Sequence, residues 1–242
     1  LTYYHIESTE IKQFRRTFSL AELEEFLVGL LEGYSVWANF SAAWMETRDH
    51  SIKELEFPFP AYRKGQRELA VSAYRTIVSG KKLYAQAPTG TGKTISVLFP
   101  AVKAMGEGKT SKIFYLTAKT ITRQVAEEAS ARMVKGGLRM KTITLTAKEK
   151  ICFKEQAICQ PEHCEYAKGH FDRVNAAILD AVGSCDELSR PVIEEFAEKH
   201  QVCPFEFSLD LALLADCVIC DYNYVFDPRA YLRRFFADGE KD

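Results

Sequence analysis

The sequence predicts an α/β domain: a parallel sheet with helices on both faces, preceded by a helical connector and interrupted by an inserted subdomain. Three observations carry this. Strand-like and helix-like runs alternate from about residue 81 to 150. The run "APTGTGKT" (residues 87–94) falls between a strand-like run and a helix-like run. The alternation lapses over residues 150–205, where five of the seven cysteines lie, and a strand-like run resumes at 216–226. Strand–helix repeats of this kind build parallel sheets, because each helical crossover carries the chain back to the same end of the sheet before the next strand begins.

Taken in order, residues 19–50 read as helix. Ser19 and Glu22 form a capping-box pattern, and Leu20, Leu23, Leu27, Leu30 and Leu31 follow at helical spacing. Gly33 is expected to break this run into two helices. Pro58 and Pro60 end it. A helix is predicted from about Lys64 to Val78, stopped by Gly80. "KLYAQA" (82–87) reads as a short strand, followed by a helix through about Lys103. "SKIFYLTA" and "KTITLTA" read as strands flanking the helix "TITRQVAEEASARMV". The domain reading is 1–56 connector, 57–149 first part of the α/β core, 150–205 insertion and 206–242 return to the core.

Composition bounds the class. The 242 residues are 47% hydrophobic and 27% charged, an ordinary globular balance. No run approaches a membrane span, and "LTYYHIESTEIKQF" has neither the basic start nor the apolar stretch of a secretory leader. Seven cysteines without such a leader point to a reducing compartment, the cytoplasm. Net charge is −1, yet it is unevenly spread: residues 1–60 hold 10 acidic and 5 basic side chains, residues 103–154 hold 12 basic and 4 acidic ones. The basic window is either a track for a phosphate backbone or a solvated helix face.

The chemistry concentrates in two places. In Ala87, Pro88, Thr89, Gly90, Thr91, Gly92, Lys93 and Thr94 the pattern is that of a phosphate-binding loop, with Ala at the position usually held by the first glycine. Glycines let backbone N–H groups close on a phosphate. Lys93 reaches the β/γ-phosphates of ATP, Thr94 offers its hydroxyl to Mg²⁺, and the helix that follows directs its positive end at the anion. The second place is Cys152, Cys159, Cys164 and Cys203, separated by 6, 4 and 38 residues. Four thiolates suit tetrahedral zinc or an iron–sulfur cluster, and spacing alone leaves both open. His163 and His170 flank this set as less favoured ligands. Cys217 and Cys220 form a C-x-x-C, but on a strand they point to opposite faces and read as core. Cys185 reads as a loop thiol.

Five segments in order resemble the iron–sulfur superfamily 2 DNA helicases, of the kind related to XPD and to the bacterial DinG-like members. They are "FPFPAYRKGQ", "APTGTGKT", "YLTAKT", the cysteine segments "KICF", "AIC", "EHC" and "VCPFEF", and "ADCVICDYNYVFDP". The resemblance covers about residues 57–230. It implies a P-loop NTPase of RecA-like fold that hydrolyses ATP and moves 5′ to 3′ on single-stranded DNA, expected here as a monomer. It further implies that Gln66 contacts adenine, that Thr117 and Lys119 touch the DNA backbone, and that Lys148 meets DNA or the cluster. It assigns Cys152, Cys159, Cys164 and Cys203 to a [4Fe–4S] cluster. The family's Asp-Glu-Ala-His motif is not found: "CDELS" (185–189) has neither the strand before it nor the His after it. The expectation is therefore a piece of the motor, beginning in the tail of an upstream domain and incapable of hydrolysis alone. The other reading, a zinc-stapled nucleic-acid-binding module with a vestigial loop, stays open from the residues themselves.

Overall fold

The structure, a computed structural model, describes residues 1–118, 120–229 and 232–236, with the side chains of 120 and 121 set aside. The chain forms two compact units, Leu1–Glu46 and Thr47–Asp242. In the first, β1 (Thr2–Tyr4) pairs antiparallel with β2 (Ile11–Gln13). Then α1 (Leu20–Glu54) begins. The capping box forms as expected: the Ser19 backbone N–H donates to Glu22 Oε2 at 2.7 Å, and the Glu22 N–H donates to Ser19 Oγ at 3.2 Å. None of the described residues of this unit is buried, so its leucines face outward.

The expected break at Gly33 does not occur; α1 is continuous. A glycine inside a helix costs about 1 kcal/mol relative to alanine, and a run of 35 residues carries that. No helix among the described residues is apolar enough over its length to cross a membrane.

The second unit holds the core. After α1 come α2 (Gln66–Val78), α3 (Lys93–Gly106), β3 (Ile113–Thr117), α4 (Thr120–Lys135) and β4 (Thr142–Thr144). Then follow α5 (Lys148–Ile151), α6 (His170–Ser184), β5 (Glu187–Leu188), α7 (Arg190–Lys199), α8 (Pro204–Leu214), β6 (Cys217–Asp221), α9 (Asn223–Phe226) and α10 (Arg233–Phe236). The sheet is parallel, in the order β3-β6-β4-β5, as the alternation predicted. Ile95, Leu98, Val102 and Met105 of α3 and Ala126 and Met133 of α4 pack on Ile113, Cys217 and Ile219. Val218 and Cys220 point to the other face of β6 and are also fully buried, the condition of a strand covered on both sides. The C-x-x-C is thus core. Burial pushes both Cys217 and Cys220 up to about 12, which leaves them inert thiols.

Two expectations change. The strand predicted at "KLYAQA" is absent: residues 81–88 take no regular structure, and Tyr84 is 92% exposed. A strand exists only by pairing, and no described strand lies beside this one. The predicted insertion, in turn, does not stand apart from the sheet. Its middle supplies β5, whose Glu187 and Leu188 pair with Thr142 and Ile143 of β4.

Buried charges fasten this sheet. Arg48 Nη1 donates to Asp216 Oδ1 at 2.7 Å, and the Lys141 backbone N–H donates to Asp216 Oδ2 at 2.8 Å. Asp186, in the "CDELS" run, pairs with Arg139 and Lys141, so its role is structural. Lys112 Nζ donates to the carbonyls of Ala212, Leu213 and Ala215, capping the end of α8.

Candidate nucleotide loop and cysteine pocket

The loop's conformation follows from its glycines. Gly90 (φ 84°) and Gly92 (φ 77°) are left-handed, and Gly92 caps the N-terminus of α3. A side chain at Gly92 would meet Gln66 Nε2 at 2.3 Å. Gln66 is itself buried: its Oε1 accepts the Arg63 backbone N–H at 2.9 Å, and its Nε2 reaches Gly92 O at 3.5 Å. Arg63 Nη1 donates to Gly90 O at 2.6 Å. Lys93 Nζ donates to Ala87 O (2.9 Å) and Pro88 O (2.8 Å), and Thr91 Oγ1 to Pro88 O (2.9 Å). Thr94 Oγ1 accepts from Tyr115 Oη at 3.2 Å. Thr89 lies on the exposed crest of the loop. Lys93 thus rests on loop carbonyls, the weak partners an incoming phosphate would replace.

The cysteine pocket is built from distant pieces. Cys152 ends α5, Cys159 and Cys164 lie in the turns that follow, and Cys203 caps the N-terminus of α8 ahead of Pro204. All four line one cavity of about 380 Å³, together with His170 and several apolar side chains such as Phe205. Arg173 of α6 closes the long gap: its guanidinium donates to Lys168 O (2.7 Å) and to Gln201 O (2.6 Å), tying the segment after Cys164 to the one before Cys203. All seven thiols are free of disulfides. Among the described residues, no three His, Cys, Asp or Glu side chains converge closely enough to hold a single metal ion. Burial pushes Cys203 upward, favouring its protonated thiol. A hydrogen bond with Cys159 holds Lys148 above its ordinary value against its partial burial.

Beside it lies a second cavity of about 690 Å³, lined by Arg123, Lys148, Lys150, Arg229 and Arg233 among others. Lys148 and Phe205 line both, with Lys148 Nζ 5.7 Å from the Phe205 ring centroid. Of these, sequence reasoning singled out Lys148 alone. The arginines after "DP" carried no spacing signal, and Arg123 was hidden in a generally basic window. Thr117 is buried at the end of β3, with no open face for a phosphate, and Lys119 lies outside the described residues.

Residues 67–209 match the DEAD/DEAH box helicase family. The chain belongs to that family. It is 21% identical over 204 residues to the XPD subunit of general transcription and DNA repair factor IIH from Dictyostelium discoideum, covering 72% of this chain and 26% of that one. It is 38% identical over 74 residues to the probable ATP-dependent helicase MJ0942 of Methanocaldococcus jannaschii, covering 31% and 11%. A solved structure titled "XPD_Helicase" aligns with TM-score 0.46 and 16% identity over 73% of this chain and 30% of that chain. The chain spans under a third of each of these relatives. The helicase-family match runs from α2 to α8 and so takes in both the nucleotide loop and all four pocket cysteines.

Proposed function

We propose that this chain is part of the motor of an ATP-driven DNA helicase of the XPD/DinG-like kind, held together at one side by a [4Fe–4S] cluster. The observation that carries this is the meeting of Cys152, Cys159, Cys164 and Cys203 in one cavity of a DEAD/DEAH-family chain. The donor set fits. Four thiols free of disulfides around a roomy, largely apolar cavity suit a polynuclear cluster. When bound, such a cluster offers a structural cross-link and an electron store.

The chain's own residues do the rest. Lys93 exchanges the Ala87 and Pro88 carbonyls for the β/γ-phosphates of ATP, and Thr94 turns its hydroxyl from Tyr115 to Mg²⁺. Gln66 turns from its weakest bond, to Gly92 O, toward adenine. Arg123, Lys148, Lys150, Arg229 and Arg233 supply a basic floor for single-stranded DNA, translocated 5′ to 3′. The resemblance assigns Thr117 and Lys119 to the DNA backbone path; Thr117 is buried, and Lys119 lies outside the described residues. The working form is a cytoplasmic monomer.

The test is anaerobic purification with iron, sulfide and zinc assayed on one sample, alongside binding of a non-hydrolysable ATP analogue. About four irons and four sulfides per chain, with analogue binding, is the expected result. One zinc and no analogue binding would replace this reading with a zinc-stapled binding module.

A further inference from the structure

His170 is the first residue of α6 and is 3% exposed. Its Nδ1 accepts the Cys203 backbone N–H at 3.3 Å. An imidazole nitrogen that accepts carries no proton, so the ring's proton sits on Nε2. That donor is buried and without a partner. An unmet buried donor costs about 1–3 kcal/mol, a cost folded chains seldom leave standing. His170 lines the cysteine cavity together with all four pocket thiols, Gln156, Tyr166 and Glu206.

We propose that His170 is a positioning residue for the cluster: Nδ1 holds the Cys203 backbone in place, while Nε2–H donates a hydrogen bond to a cluster sulfur, either a ligand thiolate or a bridging sulfide. It is not a ligand, since the lone pair it has free is already used on Cys203 and four thiols complete the set. This inference rests on the iron–sulfur reading above. A donor aimed at cluster sulfur stabilises the more negative, reduced state and raises the reduction potential.

Two variants separate the two nitrogens. In His170→Asn the shorter amide keeps an acceptor where Nδ1 stood and loses the distal donor. In His170→Gln the longer amide keeps a donor near Nε2 and loses the acceptor. Iron and sulfide are assayed first on the wild-type chain; if it loads neither, the iron–sulfur reading fails, and this inference with it. Given a loaded wild type, His170→Asn is expected to keep its cluster with a lower midpoint potential, and His170→Gln to keep the potential with weaker iron retention. An unchanged potential in His170→Asn would overturn the proposal. Should neither variant load, wild-type protein grown on ¹⁵N-histidine decides the matter by pulsed EPR of the reduced cluster. One weakly coupled ring nitrogen supports the hydrogen bond. No coupling overturns it, and a large coupling of the size given by a bound imidazole overturns it in favour of ligation.

Discussion

The nucleotide loop and the cysteine pocket are both short lists of residues, yet they are made in opposite ways. The loop is eight consecutive residues whose shape is set by two left-handed glycines and the helix they start. The pocket gathers four residues scattered over 152–203, and nothing local brings them together. Arg173 does so, by spanning from Lys168 to Gln201. A contiguous motif carries its own geometry; a scattered one borrows geometry from the packing of α6 and α8.

The strongest way to break this contrast is to remove one thiol. Cys159→Ser is expected to lose nearly all iron and sulfide while leaving ATP-analogue affinity unchanged, measured on the same preparation. Loss of both would mean the two regions fold as one. A change to the sheet they share should do what Cys159→Ser does not. Asp216→Ala leaves the buried Arg48 with only the half-exposed Asp49 and strips the Lys141 N–H of its acceptor, and breaking such a buried pair costs up to about 3–5 kcal/mol. Urea unfolding should show that loss, with iron and nucleotide binding falling together. Sharpening from the other side, Lys93→Ala removes a charged phosphate partner worth about 1.5–3 kcal/mol, roughly a 10–100-fold weaker analogue affinity by calorimetry. Its iron content should equal wild type.

The last test is linked to pH. Burial pushes Lys112 down to about 8, against an ordinary value of 10.5. Between those values the unfolded chain holds a proton that the folded chain has shed, so Lys112 makes stability rise with pH through that window and fall as pH drops through 8. Denaturant midpoints of wild type and Lys112→Met, compared across pH 8 to 10.5, should converge or cross as that contribution grows. A constant difference would refute the assignment.

Much of this architecture was legible in the chain, for identifiable reasons. The capping box at Ser19, the left-handed glycines and the buried C-x-x-C are local patterns whose outcome depends on a few neighbours. The failures are non-local. "KLYAQA" has the composition of a strand but finds no described partner. Gly33 has the look of a break, yet one glycine does not outweigh a long helix. "CDELS" gave no strand signal, because a two-residue strand such as β5 is defined only by what it pairs with. The arginines of the basic cavity and the second role of His170 depend on α8, α10 and the cavity wall, none of which spacing can register.

The left-handed backbone of Gly92, beside Gln66, has a consequence for how such a chain can change over generations. The two positions lie 26 apart in sequence and share one small volume. A Cβ at residue 92 would press on the far end of the Gln66 side chain, which can swing aside, so space alone does not tie the two together. What holds residue 92 to glycine is its left-handed backbone, which any replacement must accept whatever stands at residue 66.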